Sequence, residues 1–150
     1  MQFKEPLFFD THKENKDANV QELSQGLLCP QATLSPKYFY DEMGSVLFDA
    51  ITLLPEYYPT RTELQIFTQQ AHNIHAQFPK HATWVDLGSG NCEKAVNLFS
   101  HSMPSTYIAV DISVDYLSNH LKDLQAKYPE VDVVGVGTVS YTHLTLPTKA

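Results

Sequence analysis

The sequence predicts an α/β fold in which amino-terminal helices are followed by the first strands of a parallel, doubly wound sheet. Three observations carry this. Apolar residues before Ala82 recur at helical spacing, and the period changes at Ala82. From there the pattern runs strand, helix, strand, helix, strand, with lengths that require right-handed crossovers and so parallel neighbours. The first strand, Thr83-Trp84-Val85-Asp86-Leu87, leads directly into Gly88-Ser89-Gly90.

Taken in order, residues 1–20 are polar and irregular and read as a mobile arm. A short helix follows from Val20 to Leu28, ended by Cys29-Pro30, so that 1–34 forms an arm with one helix. In the next segment, 35–81, Met43, Val46, Leu47, Ile51 and Leu54 form one face of a helix that Asp41 can cap and Pro55 stops. Thr60 and Glu63 have capping-box spacing for a second helix, carried on by Leu64, Phe67, Ala71, Ile74 and Phe78 to Pro79. The loop between them, Leu54-Pro55-Glu56-Tyr57-Tyr58-Pro59, is stiffened by two prolines.

Segment 82–138 holds the sheet. After Thr83–Leu87, read as a buried strand, comes a helix from Asn91 to Phe99. Thr106–Val110 is a second strand ending at Asp111, and Val114, Leu117, Leu121 and Leu124 mark a second helix. Val131–Val136 is the third strand. The string Val139–Thr148, VSYTHLTLPT, has some strand-like alternation but resembles a translated transposon-end sequencing adaptor. Residues 139–150 are therefore expected to be foreign, with the native segment ending near Thr138.

The 150 residues are 43% hydrophobic and 11% aromatic, enough for one modest core and unlike a disordered chain. A net charge of −7 disfavours nucleic acid and anionic membranes as partners and leaves small molecules open. No run reaches the ~18–20 apolar residues of a membrane span, and the first residues lack a signal-peptide core. Cys29 and Cys92 have neither a disulfide framework nor metal-ligand spacing, so a reducing cytoplasm is the expected compartment. No obligate protein partner is evident.

The chemistry concentrates at Asp86-Leu87-Gly88-Ser89-Gly90-Asn91-Cys92-Glu93-Lys94. Glycines after a strand allow a tight turn and close approach of a ligand to the backbone. A dinucleotide fingerprint wants a third small residue where Glu93 stands, and that carboxylate would repel a pyrophosphate. A nucleoside-like ligand without phosphate fits better. Asp111, about 20 residues beyond the turn at the end of the second strand, can accept hydrogen bonds from both ribose hydroxyls. Together, Asp-x-Gly-x-Gly and an acid ending the second strand look like the S-adenosylmethionine (SAM) site of the common methyltransferase fold, or like another Rossmann-like domain.

The upstream block narrows this. Lys37-Tyr38-Phe39-Tyr40-Asp41, Gly44-Ser45, Leu47-Phe48-Asp49 and Leu54-Pro55-Glu56-Tyr57-Tyr58-Pro59-Thr60-Arg61 resemble the histidine-specific methyltransferases, from about Ser35 to Gly137. That family trimethylates the α-amino group of L-histidine on the route to ergothioneine. The resemblance implies a truncated, Rossmann-like class I methyltransferase sheet over 82–138, with 35–81 as a helical cap over substrate and cofactor. It implies that Gly88, Ser89, Gly90, Lys94 and Asp111 hold SAM and that Tyr57, with Tyr40 nearby, meets the amino-acid substrate. In the common order of that fold the Thr83–Leu87 strand lies mid-sheet and the Val131–Val136 strand is outermost. Family members continue with an acidic-aromatic pair that holds the adenine, where this chain has Val139-Ser140. The later substrate subdomain is absent too, so the chain by itself is expected to be inactive.

Blander readings of the same residues stand beside these. Tyr40 and Tyr57 can be ordinary half-buried aromatics, and Lys94 can pair with Glu93. His72 and His75, three apart on a helix, lack a third ligand and read as solvent-facing, so no metal is expected. Cys92 reads as a packing residue rather than a nucleophile. Two other functions remain open: methylation of another small amine, or a non-catalytic domain that keeps the nucleoside site.

Overall fold

The structure, a computed structural model, describes residues 4–11 and 16–138. The adaptor-like string Val139–Thr148, and the Val139-Ser140 position with it, lies outside the described residues. The chain runs β1 (Leu7–Asp10), α1 (Lys16–Leu27), a 3-10 turn (Pro36–Phe39), α2 (Glu42–Thr52), α3 (Tyr58–His75), β2 (Thr83–Leu87), α4 (Glu93–Phe99), β3 (Thr106–Asp111), α5 (Val114–Lys127) and β4 (Asp132–Gly137). The four strands are parallel, in the order β1-β4-β3-β2. Helices followed by a parallel sheet are what the sequence predicts.

The amino-terminal arm is where the structure departs from that reading. Leu7–Asp10 is a strand, with Leu7 opposite Val134 and Phe9 opposite Val136. Four residues are too few to display a period, and what admits them is distant in sequence. A Cβ on Gly135 would come within 2.4 Å of the Phe8 ring and 2.5 Å of Leu121, so the glycine leaves the space that the Phe8 ring fills when β1 pairs with β4. Lys4 adds an ion pair to Asp132. As a result β4 is not outermost; β2 forms the other edge of the sheet among the described residues, as expected of a chain without the strand that would flank it in the common order.

One sheet face carries the core. Phe8, Trp84, Tyr107, Ala109 and Val133 point toward α4 and α5, where Phe99, Leu117, Leu121 and Leu124 are buried with Tyr107 and Val131. Phe99 is the hub of an aromatic cluster, with ring centroids 5.5 Å from Trp84, 5.5 Å from Tyr107 and 5.2 Å from Tyr128. Gln125, 1% exposed in the middle of this apolar layer, acts as a surrogate peptide. Its amide donates to Val131 O at 2.9 Å and its carbonyl accepts from Val133 N at 3.2 Å, tying α5 to the start of β4.

The opposite face is open along its two edge strands, while Val110 near its middle is buried. Strand register puts Leu7, Phe9, Val85, Leu87, Ile108, Val110, Val134 and Val136 on it. Val85 is 57% exposed and Leu87 56%, so the strand read as buried is exposed at every other residue. Parallel sheets are ordinarily covered on both faces. The same holds for α2, whose expected core stripe of Met43, Val46, Leu47, Ile51 and Leu54 is exposed.

Helix ends follow the sequence in one case and not in the other. Asp41 caps α2, accepting from Gly44 N at 2.7 Å. Gly44 is required there, because a Cβ would lie 1.8 Å from the Phe39 carbonyl oxygen. The Thr60–Glu63 capping box does not form: α3 begins at Tyr58 with Tyr57 as N-cap, three residues early, and with no side-chain cap. Pro59 enters the first turn, where its missing N–H costs nothing.

Candidate active site

The glycine turn sits at the carboxyl end of β2. Gly88 and Gly90 have φ of +70° and +52°, the left-handed region that disfavours other residues. A Cβ built on either would meet nothing within 4 Å, so the space before the turn is open. The turn hangs from the end of the neighbouring strand: Gly88 N and Ser89 N donate to Val110 O at 2.8 and 3.1 Å. Gly90 N donates to Asp111 Oδ2 at 2.8 Å, and Ser113 N to Asp111 Oδ1 at 3.0 Å. Ser89 is buried beneath, 1% exposed.

Behind the turn lies a buried polar cluster that periodicity does not reveal. Tyr107, with no exposed surface, donates its hydroxyl to Asp86 Oδ2 at 2.8 Å. Cys92 joins them with a left-handed φ of 63°, and burial pushes its thiol up to about 11. Burial likewise pushes the Tyr107 phenol up, with the charges of Cys92 and Asp86 adding to it. Such a thiol is neutral and inert near neutral pH, in keeping with a packing role.

The helical segment arches over the same edge. Tyr40 lies between the 3-10 turn and α2, and its carbonyl accepts from Ser113 Oγ at 2.8 Å. Tyr116 on α5 donates to Asp49 on α2. Burial raises the Tyr116 phenol most, followed by the Asp49 hydrogen bond and charge and by the charges of Glu93 and Asp111. Asp49, Glu93 and Asp111 thus all lie near enough to act on the Tyr116 phenol.

Tyr57 occupies the N-cap position of α3, half-buried, its ring 5.8 Å from Phe48 in an edge-to-face pair. Arg61 holds the proline loop in shape: its guanidinium donates to the carbonyls of Leu54 (2.8 Å), Tyr57 (3.3 Å) and Pro55. The sequence did carry a signal for this. A cation in the first turn of a helix opposes the macrodipole, so Arg61 had to serve something else.

The structure brings Gly88, Ser89, Gly90 and Asp111 together, and it brings the Tyr40 backbone to them through Ser113. Lys94 instead faces Glu63 on α3 at 3.7 Å, not the neighbouring Glu93. His75 is half-buried rather than solvent-facing like His72, and its Nδ1 has no partner among the described residues. Among the described residues no helix is long and apolar enough to cross a membrane.

The family described as histidine-specific, SAM-dependent methyltransferase matches residues 19–149. The chain belongs to that family. Among its relatives, a histidine Nα-methyltransferase of Mycolicibacterium smegmatis is 38% identical over 124 residues, 80% of this chain and 38% of the relative. One from Mycobacterium tuberculosis is 35% identical over 129 residues, 83% of this chain and 40% of the relative. A 4-dimethylallyltryptophan N-methyltransferase of Claviceps purpurea is 29% identical over 113 residues, 73% of this chain and 33% of the relative. The chain thus spans about two fifths of the two mycobacterial relatives.

Proposed function

We propose that this chain is the amino-terminal part of a SAM-dependent methyltransferase that acts on the α-amino group of L-histidine. The observation that carries the reading is the Gly88–Gly90 turn tied to Asp111 beneath a segment bearing Tyr40 and Tyr57. Open space before the two glycines and the nearby carboxylates fit a cationic, nucleoside-bearing cofactor. Bound SAM supplies a methyl group already activated by its sulfonium.

What remains for the protein is alignment and exclusion of water. Asp111 accepts the ribose hydroxyls while its oxygens keep the turn in shape, and Ser89 fixes the turn from below. Lys94, held near Glu63, flanks the cofactor. Tyr57, on the loop that Arg61 braces, orients the amino acid, with Tyr40 beside it. The amine attacks only when neutral, and a partly desolvated aromatic site lowers an ammonium pKa in that direction. Aromatic faces and carboxylates also suit the increasingly methylated, cationic product. No side chain in this part acts as an obligatory base.

Methylation of a different small amine is the second reading, favoured by the Claviceps purpurea relative. Incubating the full-length protein containing these residues with SAM and either L-histidine or a tryptophan derivative, followed by mass spectrometry, decides between them. Trimethylated histidine supports the first. Methylation of the tryptophan derivative alone sinks it, and no transfer with any amine sinks both.

A further inference from the structure

We propose that Ser113 is a positioning residue that couples the cofactor side of the site to its substrate side. This rests on the reading above, in which Asp111 holds the cofactor and Tyr40 lies toward the amine. Ser113 follows β3, is 7% exposed, and binds in two directions. Its N–H donates to Asp111 Oδ1 at 3.0 Å. Its hydroxyl lies 2.8 Å from both Tyr40 O and Ser45 Oγ.

The protons on these hydroxyls can be assigned by counting. Each serine has one to donate. The Ser45 hydroxyl lies 3.0 Å from Asp41 O as well as 2.8 Å from Ser113 Oγ; Asp41 O already accepts from Ser45 N at 2.9 Å, so the Ser45 proton goes to the shorter contact, Ser113 Oγ. Ser113 then gives its own proton to the Tyr40 carbonyl, and every group is satisfied. The reverse order would leave the Tyr40 carbonyl without this donor, at a cost.

Ser113 therefore grips both the residue before the α2 cap and the first turn of α2, on a base that is itself bonded to Asp111. One turn further along, the Tyr116–Asp49 bond holds α2 a second time, and Phe48 beside Asp49 meets Tyr57 edge-to-face. Filling the Asp111 site fixes the carboxylate. Through Ser113 it also fixes the start of α2, and with it the placement of Tyr40.

Hydrogen–deuterium exchange on the full-length protein, with and without S-adenosylhomocysteine, tests this. In the wild type the ligand should slow exchange at residues 88–94 and, by about threefold or more, at residues 40–48. In Ser113→Ala the ligand should still protect 88–94 but no longer 40–48. Ser45→Ala should lose part of the 40–48 effect. A merely structural tie would change exchange equally with and without ligand. Unaltered ligand protection of 40–48 in either variant, or none there in the wild type, overturns the proposal. If Ser113→Ala does not fold, Ser45→Ala decides alone. Absence of protection even at 88–94 in the wild type removes the cofactor reading itself, and this inference with it.

Discussion

Asp111 accepts a hydrogen bond from the Gly90 N–H at 2.8 Å, so the carboxylate expected to bind ribose also shapes the glycine turn. Removing it takes away both effects. In the full-length protein, Asp111→Ala should weaken S-adenosylhomocysteine binding by about 2–4 kcal/mol, the worth of two charge-assisted bonds. Calorimetric titration measures this, and unchanged affinity would remove Asp111 from the site.

Tyr57 stands on the loop outside the glycine turn, edge-on to Phe48. Tyr57→Phe keeps that ring contact and deletes only the hydroxyl. It should lower kcat/KM for histidine while leaving cofactor affinity nearly untouched. Equal losses for both ligands contradict the assignment.

Arg61 gathers three loop carbonyls with one planar fork, a geometry that lysine cannot reproduce. Arg61→Lys should therefore raise KM for histidine with little change in Tm, because the bonds are exposed. A steady-state assay beside a thermal melt checks it. A large loss of Tm with unchanged KM would make Arg61 purely structural.

The two thiols should differ sharply. Cys29 is exposed and Cys92 buried, its thiol pushed up to about 11. In native protein at pH 8 a thiol reagent should label Cys29 and spare Cys92 until denaturant is added. The folded pKa is raised above that of the unfolded chain. The contribution of Cys92 to stability is therefore complete below pH ~9 and is lost as pH rises toward about 11. Denaturation curves at pH 8 and pH 10 for wild type and Cys92→Ala measure it. A pH dependence that is the same in both would exclude the thiol.

Residues 1–150 expressed alone should aggregate or melt without a sharp transition. Val85 and Leu87 lie bare on an edge strand, and the α2 stripe is bare as well. Thermal melts with and without S-adenosylhomocysteine test this. A soluble monomer whose sharp transition rises with ligand would show that four strands suffice to build the site.

The sequence by itself determined the local structure. Strands, helices and the glycine turn came from period and from residue chemistry that acts over a few positions, as Asp41 does in capping α2. The family block was also legible, because Leu54–Arg61 is distinctive as a string. Tertiary structure decided whatever depends on residues distant in the chain. Leu7–Asp10 became a strand because Gly135, more than a hundred residues later, leaves room for Phe8. Gln125 reads as a polar helix position, yet it is buried, because the start of β4 offers one carbonyl and one N–H for it to satisfy. Ser113 and Tyr107 have no local signature at all; their importance lies in the partners that the fold brings to them. Packing also determined where the apolar stripes end up. A hydrophobic face records that something should cover it, and only the assembled chain shows that the described residues leave the α2 stripe and the Val85 and Leu87 face of β2 42–65% exposed.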